Sequence, residues 1–174
     1  MPNAVTHFLI PAILVALFRD FYLRKGDKKD FPLHYVLIAG LAGVAVDLDY
    51  VIQLITRSFS HRIFFHNLFV PLIFLILGFI FVGVTNKELG KHKLKLSTIF
   101  FVICFSVIVH LILDGVIIGN IYPLYPILDF GIGLNLVSYL PEILQESIIP
   151  IIDAVLLALW MIWIEIRHKI SDFI

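Results

Sequence analysis

Apolar residues run almost without interruption through five stretches of the chain, residues 4–18, 33–55, 65–84, 96–119 and 148–166. Crossing the hydrocarbon core of a bilayer takes roughly 20 helical residues, and the last four stretches meet that length. The first is shorter, but Phe21, Tyr22 and Leu23 extend it, while Arg19 and Asp20 can snorkel to the headgroups. It does not read as a signal peptide, because its basic cluster follows the apolar run instead of preceding it. Between the fourth and fifth stretches, Ile121-Tyr122-Pro123-Leu124-Tyr125-Pro126 and Phe130-Gly131-Ile132-Gly133-Leu134 are apolar but broken by Pro and Gly. Such a segment is too irregular to span; it predicts an interfacial lid, a re-entrant element, or a loop anchored in headgroups by its tyrosines. The pattern predicts an all-α, polytopic membrane helical bundle of about five transmembrane helices, in one domain covering residues 1–174.

Composition agrees. Of 174 residues, 60% are hydrophobic and 15% charged, where a soluble domain carries about a quarter charged. The expected location is the cell or cytoplasmic membrane, and the expected partner is membrane lipid and not nucleic acid. The single cysteine, Cys104, excludes an intrachain disulfide. Net charge is zero, so the placement of charge carries the information. Arg19, Arg24, Lys25, Lys28 and Lys29 lie between the first two stretches, Lys87, Lys91, Lys93 and Lys95 between the third and fourth, and Arg167 and Lys169 after the fifth. The alternate loops hold only Arg57 and Arg62, and residues 120–147 contain no Lys or Arg. Basic residues accumulate on the cytoplasmic side of short-looped membrane proteins. This pattern predicts the N-terminus outside and the C-terminus cytoplasmic.

Against that background, a few polar groups stand out: His7, Asp47-Leu48-Asp49, His61-Arg62 with His66-Asn67, His110 with Asp114, and Asp153. Ionisable groups at membrane depth cost several kcal/mol each and usually mark function. With the N-terminus outside, all of them fall in one layer near the extracytoplasmic face. His and Asp together are ligands suited to zinc and similar divalent metals. His110 and Asp114, four apart, share a helix face and can converge on one ion; the plainer alternative is a hydrogen-bonded pair within the bundle. Asp47 and Asp49, two apart, point about 200° from each other on a regular helix. One can then face the site while the other caps, pairs with Arg62 or reaches a second metal, unless the helix loosens. Gly40 and Gly43 allow a neighbouring helix to come close. His61 is expected in a loop and His66 on the first turn of the third helix. Arg62 offers a planar fork for phosphate oxygens, its alternative being interfacial snorkelling. Thr6 is placed to cap the first helix. Asp153 needs a partner, as a further ligand or as an acceptor from a His N–H. His34, His92 and His168 belong to the basic side.

The ordered set Thr6-His7, Asp47-Leu48-Asp49, His61-Arg62 with His66, and His110-Leu111-Ile112-Leu113-Asp114, followed by Leu124-Tyr125-Pro126, resembles the YdjM-like membrane-bound metal-dependent hydrolases. The order of His, Asp, His and His-x-x-x-Asp is more loosely similar to zinc-dependent phospholipase C. The family tends to place Pro before its Asp-x-Asp and His after it, where this chain has Val46 and Tyr50. Its His-Arg-Gly-x-Thr-His-Ser becomes His61-Arg62-Ile63-Phe64-Phe65-His66-Asn67. The resemblance implies a multi-span bundle with a divalent-metal site. The expected reaction is metal-assisted hydrolysis of a phosphoester in a lipid or lipid-linked substrate at the extracytoplasmic side. His7, one or both of Asp47 and Asp49, His61, His66, His110 and Asp114 are the expected ligands of zinc, with manganese as the other candidate. Arg62 and Asn67 are the expected substrate contacts, Arg62 also stabilising developing charge, and Asp49 is the expected proton acceptor if it is not a ligand. The competing readings are a non-catalytic metal-stabilised membrane protein and an ion- or proton-coupled transporter. A transporter needs polar residues at successive depths, whereas the cytoplasmic halves of these helices are nearly all aliphatic and aromatic.

Overall fold

The structure, a computed structural model, describes residues 4–23, 27–56, 65–84, 88–89, 94–119 and 121–168. Helix α1 spans Ala4–Leu17 and continues as a π-helical turn over Phe18–Tyr22; a short α2 covers Asp27–Asp30. Then follow α3 (His34–Ala45), α4 (Leu48–Thr56), α5 (Phe69–Val84) and α6 (Leu96–Ile117). After a non-helical stretch come a 3-10 turn (Leu136–Tyr139), α7 (Glu142–Gln145) and α8 (Ile148–His168). A small departure from the all-helical expectation is a two-residue antiparallel ladder, β1 (Glu88–Leu89) with β2 (Leu94–Lys95), between α5 and α6. Its second strand is tied to the bundle where the Lys95 N–H donates to the Tyr35 hydroxyl at 2.7 Å.

Among the described residues, four stretches, Ala4–Tyr22, His34–Ile55, Leu96–Ile117 and Glu142–Arg167, are long and apolar enough to cross a membrane. The remaining apolar run, the third along the chain, forms α5, which holds 16 residues because it starts four positions later than the hydrophobicity suggests. Asn67 sets that start: its Oδ1 accepts the N–H groups of Phe69 (3.0 Å) and Val70 (3.3 Å), satisfying two donors at the helix N-terminus. Asn67, expected to contact substrate, thus has its side-chain oxygen engaged as the cap of α5.

The bundle packs in the spatial order α5, α6, α3, α1, α8, with α1 also touching α6. Small residues draw the central helices together, as membrane helix packing requires. Ala12 and Ala16 of α1, Ala39 of α3 and Val102 of α6 share one buried cluster with Tyr35. Gly43 marks the closest approach of α1 and α3: a Cβ there would lie 2.2 Å from the His7 carbonyl oxygen. At the other end, Arg19 pairs with Asp20 (2.9 Å) and donates to the Phe31 carbonyl, while Arg167 lies over the rings of Phe21 and Trp163.

The Pro/Gly-broken segment after α6 folds back on the bundle. Ile121 and Ile132 exchange backbone hydrogen bonds, Leu134 N–H donates to the Gly115 carbonyl, and Leu68 N–H to the Pro123 carbonyl. Ile121 packs on Val46, Val107 and Leu111, whereas Ile127, Phe130 and Leu134 remain exposed, which suits an element lying in a membrane interface.

Candidate metal centre

Four helices and two junctions deliver polar side chains to the same end of the bundle. Thr6 and His7 come from the start of α1, and Asp47 and Asp49 from the junction of α3 and α4. His66 lies just before α5, His110 and Asp114 in the last turns of α6, and Asp153 in the second turn of α8. His7, His66 and His110 are wholly buried, and Asp49, Asp114 and Asp153 nearly so. Asp47 keeps 21% of its side chain exposed.

The junction answers the question left by the Asp47–Asp49 spacing. The regular helix stops at Ala45, and Val46 and Asp47 form a turn in which Asp47 N–H bonds to the Val44 carbonyl and Tyr50 N–H to the Asp47 carbonyl. That break lets both carboxylates reach one imidazole from opposite edges. Asp49 Oδ2 is 2.9 Å from His66 Nδ1, and Asp47 Oδ1 is 3.5 Å from His66 Nε2.

Asp47, His66, His110 and Asp114 each offer one donor atom, all within 4.8 Å of one another. His66 Nε2 lies 3.1 Å from His110 Nε2 and 3.2 Å from Asp114 Oδ2. His110 Nε2 lies 3.7 Å from Asp47 Oδ1 and 3.8 Å from Asp114 Oδ2. A tetrahedral zinc with bonds of about 2.0–2.1 Å separates its ligand atoms by roughly 3.3–3.4 Å. The observed spacings scatter around that value.

Tautomers make the case chemical. His110 Nδ1 is 2.7 Å from the Gly43 carbonyl, which can only accept, so Nδ1 carries the proton. Asp49 is likewise an acceptor for His66 Nδ1. In the neutral rings both Nε2 lone pairs therefore face each other, with two carboxylate oxygens beside them. Four acceptors at these distances repel unless a metal ion, or a proton on His66 Nε2, lies among them. Gly43 and Asp49 are also the kind of partners that orient metal-binding imidazoles. The four residues fit a divalent transition metal.

His7, expected among the ligands, lies behind Asp114: its Nε2 is 3.3 Å from Asp114 Oδ1, and its ring is 3.9 Å from that of His110. Asp49, also an expected ligand, contacts the far edge of His66. His61 and Arg62 lie outside the described residues. Thr6 is not a helix cap but sits inside α1, where its hydroxyl donates to Asp153 Oδ1 and ties α8 to α1. That pairing and the Gly43 carbonyl were the contributors not anticipated from sequence. The shared depth of Thr6 and Asp153, and a glycine one turn before the aspartates, were the signals that could have found them.

A family model described as YdjM inner membrane protein matches residues 1–170 of the chain. Comparison with curated proteins gives no match, and comparison with solved structures gives none either.

Proposed function

The chain belongs to the YdjM inner membrane protein family, and from that membership and its four-donor cluster we propose a membrane-bound, metal-dependent hydrolase. Its substrate is a phosphoester in a lipid or lipid-linked headgroup. The observation that carries this reading is the 3.1 Å approach of His66 Nε2 to His110 Nε2 beside two carboxylates inside an apolar bundle, with both Nδ1 atoms turned to acceptors.

Asp47, His66, His110 and Asp114 hold the metal in this reading, with zinc favoured by the mixed imidazole and carboxylate set and manganese as the second candidate. When bound, such an ion supplies Lewis acidity toward a phosphoryl oxygen and makes water at the site more acidic. The chain's own groups do the rest. Gly43 and Asp49 keep the ring protons on Nδ1 of His110 and His66, so both Nε2 atoms stay available. His7 holds the far oxygen of Asp114. Asp47 is the partly exposed donor of the four, the side on which water can reach the site. Asp49 acts through His66 and not on water directly. Arg62, four residues before His66, neutralises charge developing on the phosphoryl group, and His61 is a further candidate ligand. The distribution of Lys and Arg supports five spans with the N-terminus outside, which puts the site at the extracytoplasmic face.

One observation favours a second reading. Four protein donors suffice to close a tetrahedral shell, and closed shells are the mark of structural metal sites. The assay that separates the two readings presents lipid phosphomonoesters and phosphodiesters in mixed micelles with added zinc or manganese. The hydrolase reading expects turnover by the wild type and a loss of about two to three orders of magnitude in Arg62→Ala, with metal content unchanged. Metal binding without turnover of any phosphoester would leave the non-catalytic, metal-stabilised reading standing alone.

A further inference from the structure

An apolar cavity of about 370 Å³ lies among α3, α5 and α6, and every residue lining it is apolar. One end is walled by Val46, Phe65 and Val107. Val46 and Phe65 directly precede Asp47 and His66 in the chain, and Val107 lies one turn before His110 on the same helix. The cavity therefore starts within one helical turn of the donor cluster, separated from it by these apolar side chains, since none of the four donors lines it. Its other end is walled by Ile38, Phe74 and Ile103. Ile38 and Ala45, both lining the cavity from α3, are seven helical steps apart, a distance of about 10 Å along the helix axis. The long axis thus runs from the cluster toward the middle of the bundle, the direction a lipid tail takes from its headgroup.

α3 and α5 each pack on α6, and the cavity fills the space left between them. Leu41, at its margin, is 57% exposed on the outer surface of α3, so the cavity opens sideways toward the surrounding hydrocarbon. An apolar space of this kind excludes water, and leaving it empty forfeits dispersion contacts on every wall. At about 30 Å³ per methylene, taken as water-sized, the volume accommodates roughly a dozen carbons.

We propose that this cavity holds the single alkyl chain of an amphiphile whose anionic headgroup lies at the donor cluster, so that the site selects medium-chain alkyl phosphates over short, water-soluble ones. The term substrate for that amphiphile rests on the hydrolase reading above; the binding of its chain does not. Ala45 lines the cavity from an exposed position of α3, and enlarging it obstructs the tail without opening the core. Phe74 closes the far end, and shortening it lengthens the space.

The test uses the full chain in lipid nanodiscs loaded with zinc, and a dodecyl phosphate bearing a diazirine at the chain terminus. Photolabelling is expected on peptides containing Phe74 and Ile103, with dodecyl phosphate competing and butyl phosphate not. Ala45→Phe should weaken labelling about tenfold, the size of a modest overpacking penalty. Phe74→Ala should shift the best competitor from dodecyl toward hexadecyl phosphate, a gain that an unfolded variant cannot produce. Labelling spread equally over α8, or indifferent to both substitutions, would overturn the proposal. The two readings separate cleanly. Cavity labelling without release of phosphate removes the hydrolase and keeps the tail site. Equal turnover of butyl and dodecyl phosphate, unchanged in Ala45→Phe, removes the tail site and keeps the hydrolase.

Discussion

His110 on α6 donates from Nδ1 to the carbonyl oxygen of Gly43 on α3 at 2.7 Å. This contact fixes the tautomer of a buried imidazole from the backbone of a different helix. It depends on Gly43 twice, since the absence of a side chain there also lets the His7 carbonyl of α1 approach. Three helices are thereby locked together one turn away from the aspartates, and the site's chemistry and the bundle's packing share one residue.

Gly43→Ala tests that coupling. Its Cβ would meet the His7 carbonyl oxygen at 2.2 Å, so α1 and α3 must separate. The expected cost is about 1–3 kcal/mol, as for overpacking elsewhere, read as a lower melting temperature in detergent. Metal affinity should fall with it. A stable Gly43→Ala variant with full metal content would mean that the helices part without disturbing His110.

The two aspartates Asp49 and Asp114 should behave differently. Asp49 holds the Nδ1 edge of His66, so Asp49→Asn should weaken metal affinity about 10- to 100-fold without abolishing occupancy. Asp114→Asn should abolish it, because Asp114 Oδ2 faces both imidazoles. Chelator competition measures both. Equal loss in the two variants would make Asp49 a direct ligand.

Thr6 and Asp153 join α8 to the bundle, and neither belongs to the four-donor group. Thr6→Val keeps the shape but removes the hydroxyl donor from a nearly buried carboxylate, at a cost of about 1–3 kcal/mol. Thermal stability should drop while metal content holds, and Thr6→Ser should recover most of the loss. Metal loss at unchanged stability would instead place Asp153 among the ligands.

Orientation is tested by thiol labelling in intact cells with Cys104 replaced by serine. Cysteines introduced at Ser60 and Ser138 should react with a membrane-impermeant reagent, and one at Asn86 should not. The reverse pattern would put the donor cluster on the cytoplasmic side.

Hydrophobic runs locate the helices to within a few residues, because a bilayer leaves the backbone little alternative. The cost of burying charge singles out His66, His110 and Asp114 from residue type and position along the chain alone. What sequence could not decide was set by departures from regular helix. The turn at Val46–Asp47 rotates Asp47 toward the donor atoms and Asp49 toward the far edge of His66, whereas a continuous helix would have sent one of them away. The start of α5 moved for a similar reason, with Asn67 engaging its oxygen on two backbone N–H groups. The Thr6–Asp153 pair joins residues 147 positions apart, and no local pattern announces such a contact.

The most direct measurement is the metal content of the purified, full-length protein, with ligand geometry read by X-ray absorption. The account predicts about one divalent ion per chain, bound by two imidazole nitrogens and carboxylate oxygens. It should be lost in His66→Ala and in His110→Ala and retained in His92→Ala. A folded wild-type protein that takes up no divalent metal, or full occupancy in both histidine variants, would contradict it.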